Sequence, residues 1–269
     1  MNEPVDGLRT LEAAFVDLAG DGGRWPVLVA LDFDGTLAPL QDDPERSRIL
    51  PDGVRQLERL AAVGVRLALV SGRGVDVLAR LARVPVGTTL IGSHGGERAQ
   101  VLPSGLGSTM SPLTPAQESL RAQADALLSE VAQGCPGGWV EAKPAAAVLH
   151  TRLAGPDETA RAQAQAREVG TRLGLHVLEG KDVVELAVLD VDKGSALAAL
   201  RDELEATTVV YAGDDRTDEH ALGRLRPGDI GIKVGEGQTL ASYRVPDPEA
   251  LVTALAVFAD ALEARHPQP

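Results

Sequence analysis

Cysteine is almost absent: Cys135 is the only one among 269 residues. A lone thiol cannot close an internal disulfide, as expected for a chain made for a reducing cytoplasm. Basic side chains are also scarce, 26 Lys and Arg against 39 Asp and Glu, giving a formal net charge of −13 and a pI near 4.8. That deficit argues against a nucleic-acid partner, whose phosphate backbone needs a basic field, and against docking on an anionic membrane surface. No apolar run reaches the ~18 residues of a membrane span. Met1–Gly7 holds two acids and no basic stretch, so no secretory signal is expected there. Internal repeats of about 20–50 residues and low-complexity tracts are missing as well.

What is present is ordinary for a globular chain, with 44% hydrophobic and 24% charged residues, enough to bury a sizeable core. The length suits one large domain or two modest ones. One tension follows from the charge. So acidic a chain repels an anionic small molecule unless its charge is reorganised locally.

Apolar spacing predicts a helix over residues 8–19, broken at Gly20–Gly23. Val27–Leu31 is a continuous apolar run and predicts a buried parallel strand that delivers Asp32-Phe-Asp-Gly-Thr36 at its carboxyl end. Helix is expected over 52–62, strand over 65–70 ending in Ser71-Gly-Arg73, helix over 74–83, and strand over 89–92 ending in Ser93-His-Gly-Gly-Glu97. Such alternation implies right-handed crossovers and a parallel α/β sheet, whose ligands bind beyond the carboxyl ends of the strands. All three polar clusters fall at such ends.

Residues 103–115 read as a linker. A helix over 116–132, one strand over 139–149, a helix over 157–173 and a strand pair near 175–178 and 182–186 suggest a separate smaller layer. Helix 193–204, strand 207–212, a loop Gly213–Glu219 and a helix over 252–264 complete the reading. The expected division is a core over 1–103 and 186–269 with an inserted α/β unit over 104–185.

Asp32 and Asp34 stand at i and i+2 at a strand end, where both can address one site. One carboxylate can attack phosphorus while the other protonates the leaving oxygen and then activates water. A three-residue pattern this short also occurs in exposed turns that merely satisfy backbone donors. Attack on a phosphate ester needs a cation and donors for the phosphoryl oxygens. Asp214 and Asp218 offer oxygen ligands that, with Asp32, suit Mg²⁺, although acids at a helix start also serve as caps. Ser71 and the Gly72 amide can hold a phosphoryl oxygen, and Lys193 can supply a point charge.

The order Asp32-x-Asp34, Ser71, Lys193, Asp214…Asp218 resembles the haloacid dehalogenase superfamily of phosphotransferases over about residues 27–245. The resemblance implies a Rossmann-like core with a parallel sheet and helices on both faces, plus an inserted α/β cap. It also implies Asp32 as nucleophile, Asp34 as general acid and base, Ser71, Gly72 and Lys193 as phosphate binders, and Mg²⁺ on Asp32, the Asp34 carbonyl and Asp214, with Asp218 behind them. The interval from Ser71 to Lys193 far exceeds the roughly 30 residues of a strand–helix–strand unit, which is where that superfamily carries its mixed α/β cap.

Five segments together, Leu31–Ala38, Gly92–Glu97, Val140–Lys143 with His150, Gly180–Glu185 and Gly213–Glu219, are similar to the trehalose-6-phosphate phosphatase family. The resemblance implies a cytoplasmic enzyme of trehalose biosynthesis acting on a small sugar phosphate. Glu141, Lys143 and Glu185 would grip the sugar, with Arg73, His94 and Glu97 completing the pocket. Glu141 and Lys143 at i and i+2 share one face of a strand. A phosphatase of another sugar phosphate, such as sucrose phosphate or glucosylglycerol phosphate, and a catalytically silent sugar-phosphate-binding regulator stay open. No nucleic-acid or membrane partner is expected, and a monomer is favoured.

Overall fold

The computed structural model describes residues 7–21, 24–108, 113–180 and 182–265. Two compact units form, Met1–Thr109 with Asp192–Pro269, and Met110–Val191.

In chain order the larger unit begins with α1 (Gly7–Gly20), β1 (Val27–Leu31), α2 (Pro51–Ala62), β2 (Arg66–Val70), α3 (Val75–Ala82), β3 (Thr89–Gly92), β4 (Glu97–Leu102) and β5 (Gly105–Ser108). The smaller unit holds α4 (Pro115–Gln133), β6 (Trp139–Lys143), β7 (Ala146–His150), α5 (Pro156–Leu173), β8 (His176–Gly180) and β9 (Val183–Ala187). The larger unit then resumes with α6 (Lys193–Glu203), β10 (Thr208–Gly213), α7 (Asp218–Leu222), β11 (Ile230–Val234), β12 (Tyr243–Val245) and α8 (Pro248–Glu263).

The large sheet runs β12-β11-β10-β1-β2-β3-β4-β5, parallel from β12 to β3 and antiparallel beyond. β1 is buried along its whole length because both of its faces are covered. Val27, Val29 and Leu31 pack with apolar residues of α1, α2, α3 and α8, while Leu28 and Ala30 pack with those of α6 and α7. Burying each Val or Leu in this way contributes about 1.5–3 kcal/mol. Phe15 of α1 stacks on Phe258 of α8, centroids 4.7 Å apart, and closes one of the two cores. From β1 the strand order runs to β2 and β3 on one side and to β10, β11 and β12 on the other. The crevice at this switch point is where ligands of such sheets bind.

Three expectations need correction. Residues 105–108, read as linker and assigned to the inserted unit, form β5 and pair with β4 in the large sheet; residues 109–112 of that stretch lie outside the described residues, as do Gly22, Gly23 and Lys181. The single strand over 139–149 is the hairpin β6–β7, because the chain turns at Pro144–Ala145 and pairs Lys143 with Ala146. Val188, placed in the core by the sequence, donates its amide to Ala145 of the smaller unit at 3.0 Å.

The smaller unit is an antiparallel sheet, β6-β7-β9-β8. Ala147, Leu149, Val184 and Leu186 project from one face onto Ala124 and Leu128 of α4 and Ala162 and Ala166 of α5. The small alanines let those helices lie close to the sheet.

Candidate active site

The Asp32 amide donates to the Ala212 carbonyl at 2.9 Å, continuing the β1–β10 ladder and bringing the first acid beside the loop after β10. The chain then turns sharply, with the Gly35 amide donating to Ala38 and the Leu37 and Ala38 amides both donating to Phe33. Gly35 has φ +75°, and a Cβ there would stand 2.2 Å from Asp214 Oδ2. Only glycine tolerates both the conformation and that approach. Gly35→Ala is therefore expected to cost on the order of 1–3 kcal/mol. An unchanged urea midpoint would contradict this.

Asp192 caps α6: its carboxylate accepts from the Ser195 amide at 2.7 Å, and the Ser195 hydroxyl accepts from the Asp192 amide at 2.9 Å. This fixes Lys193 at the first helical position. There its buried ammonium donates at 2.8 Å to both Asp32 Oδ1 and Asp218 Oδ1. Asp218 also accepts from the Tyr211 hydroxyl at 2.7 Å and, on its other oxygen, from the Asp214 and Asp215 amides at 3.0 Å each. Four donors occupy its acceptor sites, so Asp218 organises the loop more than it offers itself to a ligand. Lys233 of β11, also buried, donates to the Asp214 carbonyl.

Burial raises Asp32 well above the usual carboxylate range; Lys193 opposes the shift and Asp218 adds to it. Asp218 is raised by burial against the pull of Lys193. Asp214 is raised to about 6 by burial and by the charges of Asp218 and Asp215. Burial pushes Asp215 up too, but Lys193 and the Thr217 and Asp218 hydrogen bonds hold it at about 2. Burial acts to lower Lys193, yet Asp32, Asp218 and Asp215 hold it above the usual lysine range. Like charges crowd together here, with Lys193 the ammonium bonded to carboxylates of the cluster and Lys233 bonded to the Asp214 carbonyl.

Carboxylate oxygens of Asp32, Asp214 and Asp218 lie within 4.8 Å of one another, and Thr36 Oγ1 stands 3.3 Å from Asp32 Oδ2 and 3.4 Å from Asp214 Oδ1. Hard oxygen donors and uncompensated negative charge fit a magnesium ion. Asp32 and Asp214 are the residues with oxygens to offer it.

Ser71 is buried at the end of β2, and its hydroxyl oxygen accepts from the Arg73 amide at 3.2 Å. Arg73 grips Asp34 with two bonds, Nε to Oδ2 at 2.5 Å and Nη2 to Oδ1 at 2.7 Å. Ser47 Oγ accepts from the same guanidinium at 3.1 Å, and Phe33 lies beneath it at 5.5 Å. Asp34 is thus held by a planar fork that fixes the carboxyl plane.

Ser93 and His94 both have positive φ, 48° and 54°. Their amides donate to Arg73 and Ser71 carbonyls at 2.8 and 3.0 Å. The His94 ring lies over Gly72, where a Cβ would come within 2.6 Å of it. Glu97 is buried; its carboxylate accepts from the Ser93 hydroxyl and from the Val75 amide. Ser71, Gly72, Arg73, His94 and Glu97 therefore form one bonded cluster.

Glu141, Lys143 and Glu185 belong to the smaller unit. Lys143 donates to Glu185 at 2.8 Å, with both side chains nearly buried, and His150 Nε2 donates to Glu141 at 2.8 Å. Sequence reasoning missed Thr36, Tyr211 and Lys233, and it missed Arg73 as the partner of Asp34. Tyr211 looks like any apolar strand residue, and Lys233 like a solvated one; only the packing reveals their partners. Thr36, adjoining Gly35 in the first motif, was the one legible candidate.

The trehalose-phosphatase family model matches residues 30–249. A bifunctional trehalose-6-phosphate synthase/phosphatase of Thermoproteus tenax is 37% identical over 234 residues, covering 83% of this chain but 30% of that protein. The trehalose-6-phosphate phosphatase of Escherichia coli is 33% identical over 236 residues, covering 83% of this chain and 86% of that protein. The chain thus spans less than a third of the first relative and most of the second. A solved structure of a trehalose-6-phosphate phosphatase related protein superposes with TM-score 0.70 at 26% identity, covering 89% of this chain and 99% of that one. With a family match over most of its length, the chain belongs to the trehalose-phosphatase family.

Proposed function

We propose that the protein is a cytoplasmic, Mg²⁺-dependent phosphatase that hydrolyses trehalose 6-phosphate to trehalose and phosphate. The observation that carries this reading is Lys193 bridging Asp32 and Asp218 beside Asp214, in a chain of the trehalose-phosphatase family. Bound magnesium would neutralise the charge that keeps a phosphate ester from these carboxylates.

An Asp32 oxygen attacks phosphorus in line. The bond from phosphorus to the sugar oxygen breaks, and that oxygen leaves with the electron pair and takes a proton from Asp34. Asp34 then removes a proton from water. The water oxygen displaces Asp32 from phosphorus and inorganic phosphate is released. Arg73 orients Asp34 for both transfers and has to yield one of its two bonds before the carboxyl gives up a proton. Ser71 and the Gly72 amide take phosphoryl oxygens; Glu141, Lys143 and Glu185 take sugar hydroxyls. A monomer is sufficient for these roles.

Comparing kcat/KM for trehalose 6-phosphate, sucrose 6-phosphate and glucosylglycerol phosphate tests the substrate. Trehalose 6-phosphate is expected to lead. A higher value for either rival would move the assignment to that sugar.

The raised Asp214 carboxyl gives a pH signature. Because a metal ligand has to be deprotonated, Mg²⁺ binding is expected to weaken as pH falls through about 6 and to release protons there. Calorimetric titrations in buffers of different ionisation enthalpy read the proton release. An affinity constant from about pH 5 to pH 7.5 would contradict the role of Asp214.

A further inference from the structure

Lys233 is a lysine for which the proposed chemistry has no use. It is 4% exposed, and its register partner is Gly213, the last residue of β10, so it stands beside the loop that begins at Asp214. Taking an ammonium out of water costs several kcal/mol unless partners offset it. Its hydrogen bond goes to the backbone carbonyl of Asp214 and not to a carboxylate. Glu219 Oε1 of α7 faces it at 4.0 Å, beyond hydrogen-bonding distance. That oxygen is buried and accepts no hydrogen bond among the described residues, while Oε2 accepts from the Leu240 amide at 2.7 Å.

Asp214 is thereby held on both sides. The peptide that follows it has its carbonyl on Lys233 and its amide, that of Asp215, on Asp218 Oδ2 at 3.0 Å. The Asp214 amide, in the preceding peptide, donates to the same oxygen at 3.0 Å. Gly213 permits this approach, since a Cβ there would stand 2.2 Å from Asp218 Cγ. With both peptide planes fixed, so is the direction in which Asp214 sends its side chain, toward Asp32 and Thr36.

We infer that Lys233 is a positioning residue for the cation site. By anchoring the Asp214 carbonyl, it aims the Asp214 carboxylate at the place where a divalent cation would be shared with Asp32. The charge of Lys233 acts in the opposite sense, because a fixed ammonium behind the loop repels Mg²⁺. Lys233 can therefore aid binding only through the geometry it imposes. Groups that orient a metal ligand from behind are worth about 10–100-fold in affinity.

This role rests on reading the acidic cluster as a Mg²⁺ site, and one calorimetric series separates the two. Mg²⁺ is titrated without substrate into the full-length wild type and Lys233→Met, at a temperature below both melting midpoints in chelator. The variant is expected to bind about ten-fold more weakly. A merely structural lysine would lower the midpoint and leave the affinity unchanged. A lysine acting by its charge would tighten binding when removed. Either result overturns the positioning role and leaves the metal site standing. A wild type that takes up no Mg²⁺ overturns the metal site and this role with it. Where Lys233→Met does not fold, Lys233→Gln takes its place, since its amide is one atom shorter and falls back from the Asp214 carbonyl. A loss of about three-fold or more is expected there, and an unchanged affinity overturns the role.

Discussion

Asp32→Asn is expected to abolish turnover while leaving the metal-free protein at least as stable as the wild type. The activity loss should be on the order of 10³-fold or more, because an amide oxygen cannot displace the sugar and no other carboxylate takes its place. The stability outcome follows from the surroundings of Asp32. It is buried with Asp218 and Asp214 nearby, and its pKa lies well above the usual range, so its ionised form is disfavoured when the cluster lacks a cation. Asparagine keeps the shape and removes that charge. Lys193 retains Asp218 at 2.8 Å. Rapid-quench phosphate assays read the first effect and thermal melts in chelator read the second. Residual turnover near wild type would exclude Asp32 as nucleophile.

Lys193→Met acts in the opposite sense. It leaves Asp32 and Asp218 buried without the ammonium that both of them bind, and Lys193 itself is only 2% exposed. Removing one partner from such a buried pair costs about 3–5 kcal/mol, and urea unfolding without Mg²⁺ should show a loss of that size. The pH dependence carries a definite sign. Asp32, Asp214 and Asp218 have raised folded pKa values, so the folded state binds more protons than the unfolded state between the ordinary carboxylate value and the raised one. Stability therefore falls as pH rises through that window, which for Asp214 runs from 3.8 to about 6. Without Lys193 the carboxylates gain more from protonation. The variant's deficit should accordingly be larger near pH 8 than near pH 5. A deficit below about 1 kcal/mol at both values would mean the ammonium is not what holds the cluster together.

Much of this was legible in the sequence. β1 could be read directly, since five apolar residues in a row, ended by two acids, describe a strand covered on both faces and open at its carboxyl end. The set Asp32, Asp34, Ser71, Lys193 and Asp214 was legible because each residue lies within three positions of the end of a buried strand or begins a helix. β11 and β12 carried no such signal. Ile230–Val234 is short and contains Lys233, whose burial depends on the Asp214 carbonyl. The hairpin β6–β7 was read as one strand because alternation continues through the two-residue turn. Arg73 is 39 positions from Asp34, and nothing in its own surroundings names that partner. Glu97, read as a sugar contact, has both oxygens engaged by Ser93 and Val75, a tie between loops that only tertiary structure creates.

The scarcity of basic residues now has a local counterpart. A net charge of −13 concentrates in part on Asp32, Asp214, Asp215 and Asp218, where the buried Lys193 and Lys233 do not match the four carboxylates in number. On the proposed reading, that local acidity is what suits the site to a divalent cation.

Phosphate release from trehalose 6-phosphate, with Mg²⁺ and with chelator in its place, tests the central claim most directly. The account predicts multiple turnovers with Mg²⁺ and none above background in chelator. Equal release under both conditions, or none under either, would contradict it.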